Sequence, residues 1–122
     1  MTSVPAQTTF FMVGNDDRLV YLLHRYTEQS GCTMISMPSV PSIGEINRLQ
    51  PAAIIFSSVE QLQVAQPLAG SLSTHEIPIL VCASPADEAL ARELGADACL
   101  LHPLTYDNFR AVVSSVCPSI LN

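Results

Sequence analysis

Five short segments dominated by apolar residues recur along this chain at fairly regular intervals. They span residues 10–13, 33–37, 52–56, 77–82 and 98–101. Strands with one face in water alternate apolar and polar residues, whereas strands covered on both faces are nearly continuous apolar runs. These segments therefore predict a parallel β-sheet with helices packed on each side.

A helical pattern follows each segment, and the first is the clearest. Its apolar positions have the i, i+3, i+4, i+7 spacing of one helix face. They are Leu19, Leu22, Leu23 and Tyr26. Asp16 and Asp17 stand at the first turn, where acidic groups favour the positive end of the helix dipole. Gly31 is typical of the residue that follows a helix end.

The later helical patterns are shorter. The second helix has Ile43, Ile46 and Leu49 on one face. The third, through residues 62–72, is the weakest, because Pro67 inside it should kink or shorten a helix. Ser84 and Pro85 predict the start of the fourth helix, and Thr105 predicts the cap of the fifth.

Five strand–helix pairs with short connections predict one α/β domain. Its expected form is a three-layer, doubly wound parallel sheet with right-handed crossovers. The domain is expected over residues 9–117, with a flexible lead-in at 1–8 and a tail at 118–122.

Composition excludes several classes of protein. Apolar residues make up 48% of the 122 residues and charged residues 13%, the opposite of a disordered chain. With 5 basic and 11 acidic residues, the net charge is −6, so direct nucleic-acid binding is not expected. No apolar run approaches the roughly 20 residues of a membrane span. No basic residue precedes the first apolar stretch, so no secretory signal is expected and the predicted location is cytoplasmic.

The cysteines predict buried, reduced thiols and not a metal site or a disulfide framework. They are Cys32, Cys82, Cys99 and Cys117, and none belongs to a C-x-x-C pair. The sequence also contains no G-x-G-x-x-G or P-loop motif. We therefore expect no metal and no cofactor.

Three local motifs resemble one family throughout a single register. They are IPILV at 77–81, GADACLL at 95–101 and HPL at 102–104. Together with the order of elements, they make residues 9–116 similar to the receiver domain of two-component response regulators. The resemblance implies a flavodoxin-like (βα)5 fold with strand order 2-1-3-4-5. It also implies a cis peptide bond between His102 and Pro103.

The resemblance carries a second implication, which concerns the phosphorylation site. The family uses two acids after strand one, an aspartate after strand three, a Thr or Ser ending strand four, and a Lys after strand five. Phosphoryl transfer needs the carboxylate nucleophile, a divalent cation and donors for the remaining charge. The matching positions here are Gly14, Asn15, Ser57, Ala83 and His102. All depart from the pattern, which implies a pseudo-receiver without aspartyl phosphorylation.

Other interpretations of these positions stay open at this point. Asp16 and Asp17 would become the acid pair if strand one were two residues longer, although the leucine stripe of the first helix favours Gly14 and Asn15. Ser57 is also a candidate phosphate acceptor, or a small ligand binds the crevice. The candidate crevice residues are Asn15, Asp16, Ser57, Ser84 and His102. A weaker hypothesis makes Ser57 and His102 the nucleophile and base of a small hydrolase.

The main prediction is a non-enzymatic signalling module of a two-component or phosphorelay pathway that acts through protein–protein contacts. The resemblance implies that its fourth helix, fifth strand and fifth helix form the face for a protein partner or a homodimer. The candidate interface residues are Cys99, Tyr106, Phe109, Arg110 and Val113. No nucleic acid or membrane is expected as a partner.

Overall fold

The computed structural model of this chain describes residues 8–66 and 77–117. Within these ranges, five parallel strands form one sheet in the order β2-β1-β3-β4-β5. The strands are β1 (Thr9–Val13), β2 (Thr33–Met37), β3 (Ala53–Phe56), β4 (Ile79–Ala83) and β5 (Ala98–Leu101). The α/β class, the parallel sheet and the strand order predicted above are confirmed.

Helices connect the strands on both faces of the sheet. The helices in the described ranges are α1 (Asp17–Gln29), α2 (Ile43–Leu49), α3 (Val59–Val64), α4 (Glu88–Glu93) and α5 (Tyr106–Val116). The predicted continuation of the third helix through Pro67 to residue 72 lies outside the described residues. So do almost all of the predicted lead-in and the whole predicted tail.

Side-chain oxygens that accept hydrogen bonds from backbone N–H groups fix where the main helices begin. Asp16 accepts from Leu19 N at 3.2 Å and Thr105 accepts from Asn108 N at 3.1 Å. Ser42 and Glu45 form a reciprocal capping box at the start of α2. These caps satisfy N–H groups that have no partner inside the helix, so the local sequence alone locates these helix starts.

The core has two layers, one on each face of the sheet. Successive side chains of a strand point to opposite faces. Phe10 and Met12 of β1 therefore pack under α1 and α5, whereas Phe11 and Val13 pack under α2, α3 and α4. All four are fully buried. This arrangement explains why the strands are continuous apolar runs.

At the fourth strand–helix unit, the predicted start of the strand is wrong, whereas the predicted start of the helix, with Pro85 as its first residue after Ser84, is confirmed. The strand begins at Ile79 and not at residue 77. At this start, the Asp97 carboxylate accepts a hydrogen bond from Ile79 N at 2.7 Å. The helix begins with a 3₁₀ turn (Pro85–Asp87) before α4. The Ser84 hydroxyl donates to the Asp87 carboxylate at 3.2 Å and does not cap a backbone N–H. By contrast, the predicted cis bond between His102 and Pro103 is confirmed.

Candidate functional site

The carboxyl end of β1 lies directly against the carboxyl end of β3. Gly14 follows β1 and Ser57 follows β3, where Ser57 N donates to Val13 O at 2.9 Å. Gly14 has a φ of +141° and is buried. A Cβ added to Gly14 would overlap the Ser57 hydroxyl oxygen and lie 2.5 Å from the Ser57 Cβ. The serine side chain therefore fills the space that a side chain at position 14 would need.

The acidic residues after β1 serve the first helix. Asp16 is the N-cap of α1 and Asp17 is its first residue; both are exposed, as is Asn15. Since β1 ends at Val13, the alternative of a strand two residues longer with Asp16 and Asp17 as its acid pair is wrong. The Asp16 carboxylate instead stabilises the helix start by accepting from Leu19 N.

The ends of β4 and β5 are joined by a backbone hydrogen bond. His102 N donates to Ala83 O at 3.1 Å. Ala83 is buried and brings no hydroxyl group, whereas the His102 side chain is exposed. Ser84, which follows Ala83, is half-buried, and its hydroxyl donates to the Asp87 carboxylate.

Ser57 and His102 do not form a nucleophile–base pair. They follow strands separated by β4, and neighbouring strands lie about 4.8 Å apart, so the two strand ends are about 10 Å apart. Among the described residues, no hydrogen bond joins the two side chains, so the geometry gives no support to the Ser–His hydrolase hypothesis.

A small pocket lies between α1 and the connection from β5 to α5. Its volume is about 110 Å³. The lining residues are Asp16, Arg18, Leu19, Leu22, His102 and Leu104. The pocket unites two residues of the predicted crevice, Asp16 and His102, but Asn15, Ser57 and Ser84 are not among its lining residues. The other four lining residues, Arg18, Leu19, Leu22 and Leu104, were not predicted to share a site, because no local sequence pattern indicates a contact between the first helix and the last loop.

Comparisons with known proteins give structural neighbours only. No family model matches the sequence. No curated protein matches it either. A structure described as a response regulator from Chloroflexus aurantiacus has a TM-score of 0.77 at 18% identity, covering 91% of this chain and 98% of that chain. The chain has the fold of a response-regulator receiver domain.

Two further structures share this receiver fold. A two-component response regulator from Clostridium difficile has a TM-score of 0.70 at 16% identity, with 95% of this chain and 100% of that chain covered. A protein from Burkholderia pseudomallei described as pilus assembly-related has a TM-score of 0.70 at 12% identity, with 99% and 98% covered. At these identities the likeness concerns the receiver fold.

The residues at the mouth of this receiver fold do not fit a magnesium ion. Mg²⁺ is held in proteins by carboxylates together with phosphate and water oxygens. None of the five positions at the strand ends, Gly14, Asn15, Ser57, Ala83 and His102, carries a carboxylate. In the described part of the chain, no group of three or more His, Cys, Asp or Glu residues is arranged to hold a metal ion.

Three of the five predicted interface residues are part of the receiver core. Phe109 and Val113 are fully buried and Cys99 is buried on the other side of the sheet. They face the sheet because the apolar stripe of α5 packs on it, so their assignment to a partner surface is wrong. Tyr106 is half-buried and Arg110 is exposed.

In the described ranges, no helix is long and apolar enough to cross a lipid bilayer.

The four cysteines are free and buried. Burial raises the pKa of the Cys82 thiol to about 12, with smaller contributions from Asp16 and Cys99. Burial also raises the pKa of Cys32, Cys99 and Cys117. The thiolate is the reactive form of cysteine, so none of these positions has the lowered pKa of a redox-active thiol.

The raised pKa of Cys82 predicts a loss of stability in alkaline solution. The unfolded chain ionises this thiol from about pH 9, whereas the folded chain holds the proton up to about pH 12. The stabilisation is therefore complete below pH 9 and declines as pH rises towards 12. At pH 10.5 the expected loss is about 2 kcal/mol. Urea unfolding at pH 8 and pH 10.5 measures it, and a Cys82→Ala variant should show a smaller difference between the two pH values. An equal difference in the variant would contradict the assignment to Cys82.

Proposed function

We propose that this chain is a receiver-like signalling module that works without aspartyl phosphorylation, through contacts with other proteins of a two-component or phosphorelay pathway. The observation that carries the proposal is the state of the strand ends. The five strands of the receiver fold and the helices of the described residues surround them, but the five positions of the phosphorylation site offer no carboxylate for a phosphoryl group or a cation.

Ser57 is a poor replacement for an acceptor aspartate. A serine hydroxyl needs a base to attack phosphorus, whereas a carboxylate is already charged at neutral pH. No hydrogen bond to a histidine or a carboxylate activates Ser57 within the described residues. The packing of its side chain over Gly14 supports a structural role for the hydroxymethyl group.

The experiment is a search for a phosphorylation response. The full chain, labelled with ¹⁵N, is mixed with Mg²⁺ and beryllofluoride and, separately, with Mg²⁺ and acetyl phosphate. We expect no gain in mass and unchanged amide signals at the strand ends, near residues 14, 57, 83 and 102. Mg²⁺-dependent shifts of these signals would contradict the proposal.

A Ser57→Ala variant tests the alternative hypothesis that Ser57 itself accepts a phosphoryl group. If the wild-type chain gains the mass of a phosphoryl group and the variant does not, Ser57 is an acceptor and the proposal is wrong. Thermal melting of both proteins checks that the variant is folded, because removal of one hydroxyl at a half-buried position should change stability only slightly.

A second candidate function is a scaffold role in pilus assembly. The pilus assembly-related protein from Burkholderia pseudomallei covers 99% of this chain, more than the two response regulators described above. A scaffold also needs protein contacts and no phosphoryl chemistry. Loss of surface pili after deletion of the gene, with restoration by the intact gene, would favour this function over a phosphorelay.

A further inference from the structure

We propose that this chain pairs with a second copy of itself through the outer edge of β2, so that two five-stranded sheets join into one. We call the backbone groups of residues 33–37 that point away from β1 the β2 edge. The two copies of β2 run antiparallel about a two-fold axis that passes by Ile35. The inference goes beyond the proposed function, because the β2 edge shares no residue with the phosphorylation-site positions.

The β2 edge presents backbone groups that have no partner strand. β2 is the first strand in the sheet order, so only β1 lies beside it. Thr33 N donates to Thr8 O on the β1 side at 2.8 Å. Because the backbone groups of successive strand residues point to alternate sides, Met34 and Ser36 direct their N–H and C=O groups outwards. Among the described residues, no hydrogen bond engages these outward groups.

One antiparallel register satisfies every outward group of the β2 edge. With Ile35 opposite Ile35 of the second copy, Met34 of each copy lies opposite Ser36 of the other. Facing residues of this kind exchange both of their N–H···O=C bonds, so each Met34–Ser36 pair is complete. Ile35 forms the intervening pair without a hydrogen bond, which agrees with the direction of its backbone groups towards β1. The edge is therefore complementary to itself.

Registers centred on either neighbouring residue leave groups unpaired. When the axis passes by Met34, Ser36 lies opposite Cys32, whose N–H already donates to Thr27 O at 2.8 Å. When the axis passes by Ser36, Met34 lies opposite Pro38, which has no N–H. In each case an outward carbonyl of the edge has no donor, so the central register is favoured.

Apolar side chains beside the β2 edge are incompletely covered in the single chain. Ile35 and Met37 are half-buried and pack against the core layer under α2, α3 and α4. In the proposed register, Ile35 meets Ile35 of the second copy, and Met37 meets Thr33 of the second copy. Side chains directly opposite on neighbouring strands contact each other, so the pairing covers this apolar margin.

Charge favours a second copy at this edge. The chain has a net charge of −6, but residues 17–49, which form α1, β2 and α2, contain equal numbers of acidic residues and arginines. These charged residues are Asp17, Arg18, Arg25, Glu28, Glu45 and Arg48. Residues 29–44 carry no charge, although exposed edge strands are usually protected by charged side chains. Two copies therefore meet here without a local excess of negative charge.

The opposite edge of the sheet, at β5, is less suitable for a second copy. Residues 87–110, which include α4, β5 and the first part of α5, contain more acidic residues than arginines. Their charged residues are Asp87, Glu88, Arg92, Glu93, Asp97, Asp107 and Arg110. Two surfaces of the same sign repel each other, so charge directs self-association to the β2 edge.

The first measurement is the concentration dependence of the ¹⁵N-labelled full chain. Between micromolar and millimolar concentration, sedimentation equilibrium should show a monomer–dimer equilibrium. The amide signals of residues 33–37 should shift as the dimer fraction rises. The amide protons of Met34 and Ser36 should exchange with solvent more slowly in the dimer, because they become hydrogen-bonded there.

A proline at position 36 separates the edge from the rest of the fold. Ser36→Pro removes an outward N–H that no described residue uses, and proline is tolerated on edge strands whose N–H faces solvent. The monomer should therefore fold, whereas dimerisation should weaken about tenfold or more, because each dimer loses a bond from each copy. Ser36→Ala keeps the N–H and should change the dimer constant by about twofold or less. Circular dichroism and thermal melting check that both variants are folded.

A cross-linking experiment tests the register itself and does not depend on the proline variant. Ile35→Cys places two cysteines opposite each other with Cα atoms about 4.5 Å apart, which a disulfide can span. In Ser36→Cys the two cysteines are diagonal neighbours, about 7–8 Å apart and beyond the usual span of a disulfide. With the oxidant diamide, Ile35→Cys should form the covalent dimer faster, although position 36 is the more exposed. The four native cysteines are buried, so the wild-type chain is the background control.

Several results would overturn the proposal for the β2 edge. They are a chain that stays monomeric at millimolar concentration, and concentration-dependent shifts confined to α4, β5 and α5. Slow exchange of the Met34 and Ser36 amides in the monomer would show that another segment of this chain covers the edge. Equal weakening by Ser36→Pro and Ser36→Ala, or equally fast cross-linking of Ser36→Cys and Ile35→Cys, would contradict the register. None of these measurements involves Mg²⁺ or a phosphoryl donor, so their failure leaves the proposed function standing.

Discussion

Replacing Phe109 with alanine is expected to lower the free energy of unfolding by about 3–5 kcal/mol. The side chain is fully buried under the sheet face that α1 and α5 cover. Its ring contacts the ring of Phe10 edge-on, with centroids 6.3 Å apart, and the ring of Tyr26 at 5.9 Å. Truncation removes these contacts and leaves a cavity that the surrounding core fills only in part. Urea unfolding followed by circular dichroism measures the loss.

Two matched variants keep this prediction testable. Arg110→Ala alters the next residue of α5, which is exposed, and should change stability by about 0.5 kcal/mol or less. Phe109→Leu preserves most of the volume and should lower stability by about 1.5 kcal/mol or less, so it remains measurable if Phe109→Ala does not fold. If Phe109 formed a partner surface, Phe109→Ala would leave the unfolding midpoint of the isolated chain nearly unchanged.

Gly14→Ala is expected to be about as damaging, with a loss of about 2–5 kcal/mol. Two penalties combine in this variant. The φ of +141° is strained for any residue with a Cβ, and the new methyl group would overlap the Ser57 side chain. The same reasoning applies to Gly14→Asp, so restoring the family's first acid at this position would destabilise the fold and not recreate a working site.

A double-mutant comparison separates the two penalties. Gly31 also has a positive φ, at +75°, but nothing lies within 4 Å of a Cβ built there. Gly31→Ala should therefore lower stability by about 1 kcal/mol, from backbone strain alone. In the Ser57→Gly background, Gly14→Ala should lower the free energy of unfolding by about 1–3 kcal/mol less than it does in the wild-type chain. Equal losses for Gly14→Ala in both backgrounds would show that Ser57 does not occupy the space over Gly14.

Features of the fold that depend on nearby residues are the ones that the sequence predicts best. The cap at Thr105 and the glycine after α1 depend on neighbours a few residues away, and both predictions are confirmed. After β4 the helical segment begins at Pro85, as predicted, but the predicted serine cap does not form, because the Ser84 hydroxyl bonds the Asp87 carboxylate in place of a backbone N–H. A cap and a side-chain pair have the same sequence pattern, and geometry alone distinguishes them.

The last helix shows a different kind of error. Periodicity predicts its apolar stripe, yet the family resemblance also assigns Phe109 and Val113 of that stripe to a partner surface. The same side chains cannot be buried in the core and also contact a partner protein. In the structure they pack on the sheet and belong to the core. Tyr106 and Arg110, which flank the stripe, keep some exposure.

By itself, the sequence determined the order of strands and helices, the two-sided burial of the sheet and the residue types at the strand ends. These follow from local periodicity and composition, which every segment carries within itself. Only the tertiary structure decided that Ser57 packs over Gly14, and that Arg18 of the first helix shares a pocket with His102 and Leu104 near the other end of the chain. Such contacts join residues far apart in sequence, and they depend on how whole elements settle against one another in three dimensions.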